Sequence, residues 1–449
     1  MSENKKTKTM AIAIIAVVLI AAVVIGVLVS GKGSPSGEAS QGGETAQEPK
    51  TLTVWLKEEV NETTNAKLKE RVEAFGKENN VNIEVELIPY EKMYPLWTSA
   101  IEAGTLPDVS YFQYQEAGQF YAQDLLLDVS DVLADIEAAN GDIIDALVGP
   151  ATYGGKVYAI PQKFYSVALH YRKDLLEAAG YMNPPKTWDE FREIAKAVTN
   201  VEQGIYGAGI GLGSTNSDAE WLNNCMLWAY GGSLEGEDSK TITANSQETV
   251  DALSYISSIY LEDGSTPPSA VNWDDAANNT AYLSGQAAMV FNAGTLLATI
   301  KNDDPELYEK TGIAPIPAGP NGSYVPSAGS YLGIFNTTDE PELAKALIKY
   351  LYDYDWYKEW MDIEMPSIVP VYEKAKEDAA WQEDNTKPFI DSMDNMCFIG
   401  YPGEYTPAAG EVFNLKLVNE TLGNIVVNGM TPQEAADGLK TKIEEIFNK

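Results

Sequence analysis

The chain has 449 residues, 45% hydrophobic and 22% charged, enough apolar material for two or three packed domains or one large bilobed body. Lys and Arg total 31 against 66 Asp and Glu, a net charge of −35, which argues against nucleic acid as a partner because phosphate binding needs clustered cations. Three arginines (Arg71, Arg172, Arg192) disfavour an anionic ligand. One histidine and two cysteines (His170, Cys225, Cys397) leave no material for a Cys/His metal cluster, so neither metal nor other cofactor is expected.

Lys5, Lys6 and Lys8 precede residues 10–29, which carry no charge. A helix of that length spans about 30 Å, the hydrocarbon thickness of a bilayer. Lysines on its N-terminal side place that end in the cytoplasm and the rest outside. Residues 1–30 therefore read as an uncleaved signal anchor, with a cleaved signal as the alternative. Residues 31–50, rich in Gly, Ser, Glu and Gln, read as a flexible polar linker. Sequons begin at Asn61, Asn278, Asn321, Asn336 and Asn419. In an oxidising setting Cys225 and Cys397 either pair or stay as separate buried thiols.

The folded part starts at Thr51. The run 51–56 is a β-branched, apolar strand. Residues 65–79 place Leu68, Val72 and Phe75 at helical spacing. Residues 81–89 alternate with period two, 94–103 read as a helix ended by Gly104, and 109–112 as a further strand. Strand, helix, strand, helix, strand predicts a parallel sheet with crossover helices. Helices follow at 187–199, 218–230, 246–263, 341–352 and 431–448. Thr431-Pro432 with Glu434 opens the last as a capping box.

No enzyme motif stands out: there is no Gly-x-Ser-x-Gly elbow and no Walker loop. His170 lies in an alternating run and reads as structural. Acidic residues are abundant enough for a glycosidase pair, yet nothing singles one out. By contrast, 25 Tyr and 9 Trp stand against 11 Phe. Rings with a polar handle stack on sugar faces while bonding hydroxyls, so some of these are expected to line a ligand cleft.

Several short motifs occur in a telling order: Leu106-Pro-Asp-Val109, Asp124-Leu-Leu-Leu-Asp128, Tyr153-Gly-Gly-Lys-Val-Tyr-Ala-Ile-Pro161, Tyr171-Arg-Lys-Asp-Leu-Leu-Glu-Ala-Ala-Gly180, Pro185-Lys-Thr-Trp-Asp-Glu-Phe191, Leu283-Ser-Gly-Gln-Ala-Ala-Met289 and Thr431-Pro-Gln-Glu-Ala435. Together they resemble the extracellular solute-binding proteins of ABC importers, of the maltose-binding-protein-like, sugar-binding cluster. The resemblance covers residues 51–449. It implies a two-lobed α/β fold of the periplasmic-binding-protein type (type II), with hinge-linked lobes and a ligand cleft between them. The first lobe would comprise 51–162 with 311–364 and the second 163–310 with 365–449, the chain crossing near Pro161, Thr311 and Met365. It further implies a monomer on the outer face of the membrane, handing a small solute, a neutral sugar or oligosaccharide, to ABC permease subunits. The sequence departs from maltose receptors at Phe112-Gln-Tyr-Gln115, Lys163-Phe-Tyr165 and Asn292-Ala-Gly-Thr295. Three other readings remain open: the same fold binding a polyamine, another cation or a polar osmolyte; an anchored exo-acting glycosidase; and a structural surface protein.

A cleft between lobes is lined by separate stretches of chain. From the first lobe the expected residues are Trp55, Lys57, Gln113, Tyr114, Gly329, Ser330 and Tyr331. From the second they are Tyr165, Trp228, Trp273, Asp274 and Asn292, with Tyr405 from the loop 400–405. Stacking is assigned to Trp55, Trp228, Trp273 and Tyr331, and hydroxyl bonding to Lys57, Gln113, Asp274 and Asn292. No catalytic residue and no metal ligand is expected.

Overall fold

The structure, a computed structural model, describes residues 50–449 apart from Val60 and Ser327. They belong to one compact unit, Pro49–Lys449. The expected anchor and most of the linker lie outside the described residues. Among the described residues no helix is long and apolar enough to cross a membrane.

The strands are β1 (Thr51–Lys57), β2 (Asn82–Ile88), β3 (Val109–Phe112), β4 (Thr152–Tyr153), β5 (Lys156–Val157), β6 (Ile160–Tyr165), β7 (Val167–Arg172), β8 (Tyr206–Ala208), β9 (Ala287–Ala293), β10 (Thr311–Ala314), β11 (Val325–Pro326), β12 (Ala328–Ile334) and β13 (Met396–Cys397). One sheet has the order β2-β1-β3-β12-β6, the other β10-β7-β9-β8. In the first, β1 pairs in parallel with β2 and β3, while β12 runs antiparallel to β3 and β6. Helices pack against both sheets, giving the two-lobed α/β architecture.

Local signals explain the elements. Leu52, Val54 and Leu56 of β1 are buried on one face, as alternation requires. Helix Glu62–Asn79 is capped by Asn61, whose side chain accepts from the Thr63 N–H, and it buries Leu68, Val72 and Phe75. The helices Trp188–Val198 and Pro432–Phe447 each open with a capping box, Thr187/Glu190 and Thr431/Glu434.

Strand pairing shifts the passages between lobes from where the sequence placed them. β6 belongs wholly to the first sheet and β7 to the second, so the first passage falls at Ser166 rather than near Pro161. β10, expected in the first lobe, pairs with β7 in the second sheet, so the chain returns only after Ala314. Beyond Met365, Val369 still exchanges backbone hydrogen bonds with Phe164, and Val371 accepts from the Ile144 N–H. Residues just after 365 are thus held by the first sheet's side. The physical reason is common to all three: unpaired backbone groups are costly to bury, so a strand continues as far as its ladder does.

Three features of the sequence are settled by burial. Asn419 and Asn278 are buried, and Asn419's amide donates to the Gly213 and Asn216 carbonyls, so neither asparagine is accessible to a glycan. Cys225 and Cys397 are both buried free thiols. His170 is completely buried between Phe389 and Tyr282, with its pKa pushed down to about 4 by desolvation; it stays neutral at pH 7, as a structural histidine does.

Candidate functional site

A cleft of about 620 Å3 opens between the lobes, within the usual size range of small-molecule sites. One side carries Tyr90, Tyr94, Trp97, Gln113, Gln115, Glu116 and Gln119; the other carries Ser217, Trp221, Ile399, Tyr405, Gly410, Phe413 and Asn414. Gln113 directly follows the C-terminal end of β3, and Tyr90 follows that of β2 after Pro89. That edge of a sheet is where α/β folds bind ligands, because helices and loops start there.

On the first side, helix Tyr114–Ala122 is opened by a capping box in which the Gln113 N–H donates to Glu116 Oε2 at 2.9 Å. The Tyr90 phenol lies close enough to the same carboxyl to feel its charge, and the Tyr90 and Tyr111 rings meet edge to face at 6.3 Å. Burial raises the Glu116 pKa, opposed by the Gln113 N–H and the Tyr90 hydroxyl. Burial, and then Glu116, push the Tyr90 phenol up, so it remains a donor. Trp97 is anchored by its indole N–H to Ser110 Oγ at 3.0 Å.

On the second side, helix Ser217–Ala229 presents Ser217 and Trp221. Asn216 accepts from the Ala219 N–H at 2.7 Å, and Asp275 accepts from the Ser217 and Asp218 N–H groups. The Trp221 ring lies 4.8 Å from Phe413 of helix Pro407–Asn414. Beside Trp221, the fully buried Glu220 accepts from the Val418 and Asn419 N–H groups at 3.0 and 2.8 Å. It thereby satisfies the start of helix Leu417–Val426, whose N-cap offers no side chain of its own.

Tyr114 joins the two sides. Its hydroxyl accepts from the Ile399 N–H at 3.2 Å, and its ring meets Tyr405 at 5.4 Å and Trp221 at 6.5 Å, both edge to face. Tyr405 in turn fits between two glycines. A Cβ at Gly118 would stand 2.5 Å from Tyr405 Cδ1, and one at Gly410 would collide with the Tyr405 hydroxyl.

Of the residues expected from sequence, Gln113 and Tyr405 line this cleft, with Tyr114 buried directly beneath its wall. Lys57 and Tyr165 come together elsewhere. Lys57 Nζ is 3.0 Å from Glu59 Oε2 and 3.3 Å from the Tyr165 hydroxyl, and Lys163 Nζ is 2.6 Å from Glu59 Oε1. Burial would raise the Glu59 pKa, but Lys163 and Lys57 outweigh it and hold it below its ordinary value. Lys57 is therefore engaged by Glu59 and the Tyr165 hydroxyl.

The four rings assigned to stacking do not line the cleft. Trp55 is half-buried in the middle of the first sheet. Trp228 is 2% exposed against Tyr324 and Tyr401. Trp273 is 7% exposed, its indole N–H on Ser269 Oγ. Tyr331 is fully buried, its hydroxyl donating to the Leu147 carbonyl at 2.8 Å. Gly329 and Ser330 are buried in β12, Gly329 under the Phe164 ring. Asn292 is buried and its amide donates to Asn279. Asp274 is exposed in a turn, accepting from the Ala276 N–H. Sequence reasoning missed Tyr90, Tyr94, Trp221, Phe413 and Glu116. The available signal was the cluster Tyr90, Tyr94, Trp97 placed immediately after a strand, where a sheet edge meets solvent.

The two-sheet architecture with a cleft between lobes defines a class of receptors, and the comparisons place the chain within it. Residues 60–358 match the family of bacterial extracellular solute-binding proteins, and the chain belongs to that family. It is similar to the maltodextrin-binding protein MdxE of Bacillus subtilis, with 29% identity over 310 residues, 67% of this chain and 69% of that protein. It is also similar to a maltooligosaccharide ABC transporter solute-binding lipoprotein of Streptococcus pneumoniae, 26% identical over 286 residues, 62% of each chain. The sugar-binding protein MalE of Xanthomonas citri superposes with a TM-score of 0.76 at 20% identity, over 89% of this chain and 97% of that one.

Proposed function

We propose that the protein captures a neutral sugar or oligosaccharide in the interlobe cleft and delivers it to an ABC permease, held at the outer face of the membrane by its N-terminal segment, as a monomer. The observation that carries this reading is the character of the lining. It combines rings with open faces (Tyr90, Tyr94, Trp221, Phe413), backed by the buried Trp97 and Tyr405, with neutral donors and acceptors (Gln113, Gln115, Gln119, Ser217, Asn414). Rings supply apolar faces for stacking, and amides serve hydroxyls in either hydrogen-bonding sense. The maltodextrin and maltooligosaccharide specificities of the relatives support the same ligand class.

A polyamine would need several carboxylates spaced along its length. Among the described residues the lining has one, Glu116, already engaged by the Gln113 N–H. A glycosidase needs two carboxyls flanking the scissile bond, about 5–10 Å apart, and the same single carboxyl disfavours it. On this reading the protein binds its sugar without turning it over. A thermal-shift screen of the folded unit from Pro49 onward tests this, since a ligand of the native state raises the melting temperature. Linear or branched neutral oligosaccharides should shift it and be recovered intact. A shift by spermidine alone, or sugar recovered as hydrolysis products, would contradict the reading.

A further inference from the structure

Behind the cleft wall lies a second, smaller space of about 10 Å3, room for about one water molecule. It shares Ile399 and Phe413 with the cleft. Glu235 lines it, 3% exposed, and its Oε2 has no hydrogen-bond partner among the described residues. An unpaired carboxylate is poorly tolerated in such surroundings, whereas a neutral acid is not.

The other residues lining the space are apolar or uncharged. Helix Ser217–Ala229 contributes Asn224 and Trp228; helices Pro407–Asn414 and Pro432–Phe447 contribute Val412, Phe413, Ile443 and Phe447; residues 399–401 contribute the Tyr401 phenol. Among the described residues no lysine or arginine lines the space. The charge that Glu235 feels is Asp238, of like sign, on its own loop.

That loop grips the cleft. Glu235 pairs with Ile242 across its base. Near its tip, Ser239 Oγ donates to the Glu404 carbonyl at 3.1 Å and accepts from the Glu404 N–H at 2.7 Å. The next residue is Tyr405, in the cleft wall. We propose that Glu235 is a positioning residue for the ligand site: as a neutral acid it lets the loop 233–243 close on residues 399–405 and hold Tyr405, and as a carboxylate it loosens that grip and weakens binding. This rests on the cleft being the ligand site.

The sign follows from linkage. Burial, reinforced by Asp238, pushes Glu235 up to about 8, from an ordinary 4.5 when the loop is open to water. The gripped form keeps a proton that the open form gives up. Opening is therefore favoured progressively as pH rises between those values, by up to about tenfold per pH unit, and levels off above about 8.

Hydrogen exchange of backbone amides 398–406, in the full chain without ligand, tests this directly. In the wild type their protection, corrected for intrinsic rates, should fall by up to about 100-fold from pH 6 to pH 8 and then level off. In Glu235→Gln, which cannot ionise, it should be flat. Asp238→Asn removes the like charge and should bring the levelling-off to lower pH, a second readout should the glutamine variant fold poorly. Calorimetry with maltotetraose as probe should show wild-type affinity lower at pH 8.5 than at pH 6, with that dependence lost in Glu235→Gln. If maltotetraose binds at no pH, the proposed ligand class fails while the exchange profile still decides the role of Glu235. Identical pH profiles in wild type and Glu235→Gln, or a levelling-off unmoved by Asp238→Asn, would overturn the proposal.

Discussion

At the scale of single residues, an aromatic ring with a polar handle serves either a core or a cleft, and its partners decide which. Trp273 has its indole N–H satisfied by Ser269 and its ring packed among Ala270, Tyr282 and Leu296 in a secondary core. Trp273→Ala should therefore cost about 3–5 kcal/mol of stability, as other large buried truncations do, and leave ligand affinity of the folded fraction nearly unchanged. Denaturant unfolding alongside a binding titration separates the two effects. The abundance of Tyr and Trp was legible in the sequence, and some of these rings (Tyr90, Tyr94, Trp221) do border the interlobe cleft. Their assignment was not, because the contacts that bury Tyr331 reach Leu147, 184 residues away, and no local spacing reports such a pair. Trp221 was hidden for the opposite reason. It sits within a helix whose apolar residues look like core, and only the opposing lobe leaves its ring beside open space.

Among the elements, those with end signals were the most legible. Thr431 and Glu434 form the expected capping box, and the helix after β1 ends at Asn79 as expected. It starts three residues earlier than periodicity indicated, because Asn61 caps it. The helix after β2 begins at Tyr90 rather than Tyr94, and that turn carries a cleft residue. Strand ends were less legible, since where β6 stops depends on β12, far along the chain. Helix Tyr114–Ala122 is the element that ties the lobes together, through Tyr114 on Ile399 and the close approach of Gly118 to Tyr405. Gly118→Ala would place a methyl against the Tyr405 ring and the Tyr153 hydroxyl, 2.5 and 2.7 Å away. Overpacking of this kind costs about 1–3 kcal/mol. Taken up by displacement of Tyr405, it should weaken ligand binding by about tenfold, since each 1.4 kcal/mol is a factor of ten. Gly438, with nothing near its Cβ position, supplies the control: Gly438→Ala should leave affinity unchanged.

For the whole molecule, the architecture fits capture and release. The two sheets are joined by passages of the chain, one of them the single residue Ser166 between β6 and β7, and closure around a bound solute by hinge motion is usual for receptors of this architecture. The N-terminal apolar run and the polar stretch after it predict that the protein fractionates with membranes and that limited proteolysis within residues 31–50 releases a folded unit beginning near Pro49. Mature protein beginning near residue 30 would instead indicate a cleaved signal. The central claim, a neutral oligosaccharide held between the lobes, is tested most directly by calorimetric titration of the folded unit and its Trp221→Ala variant with a maltooligosaccharide. Losing a stacked ring costs on the order of 2 kcal/mol. Wild type should bind with one-to-one stoichiometry and the folded Trp221→Ala protein about 30-fold more weakly, beyond any loss of stability read from its unfolding curve. Equal affinities in the two proteins, or no heat of binding from any neutral oligosaccharide, would contradict the account.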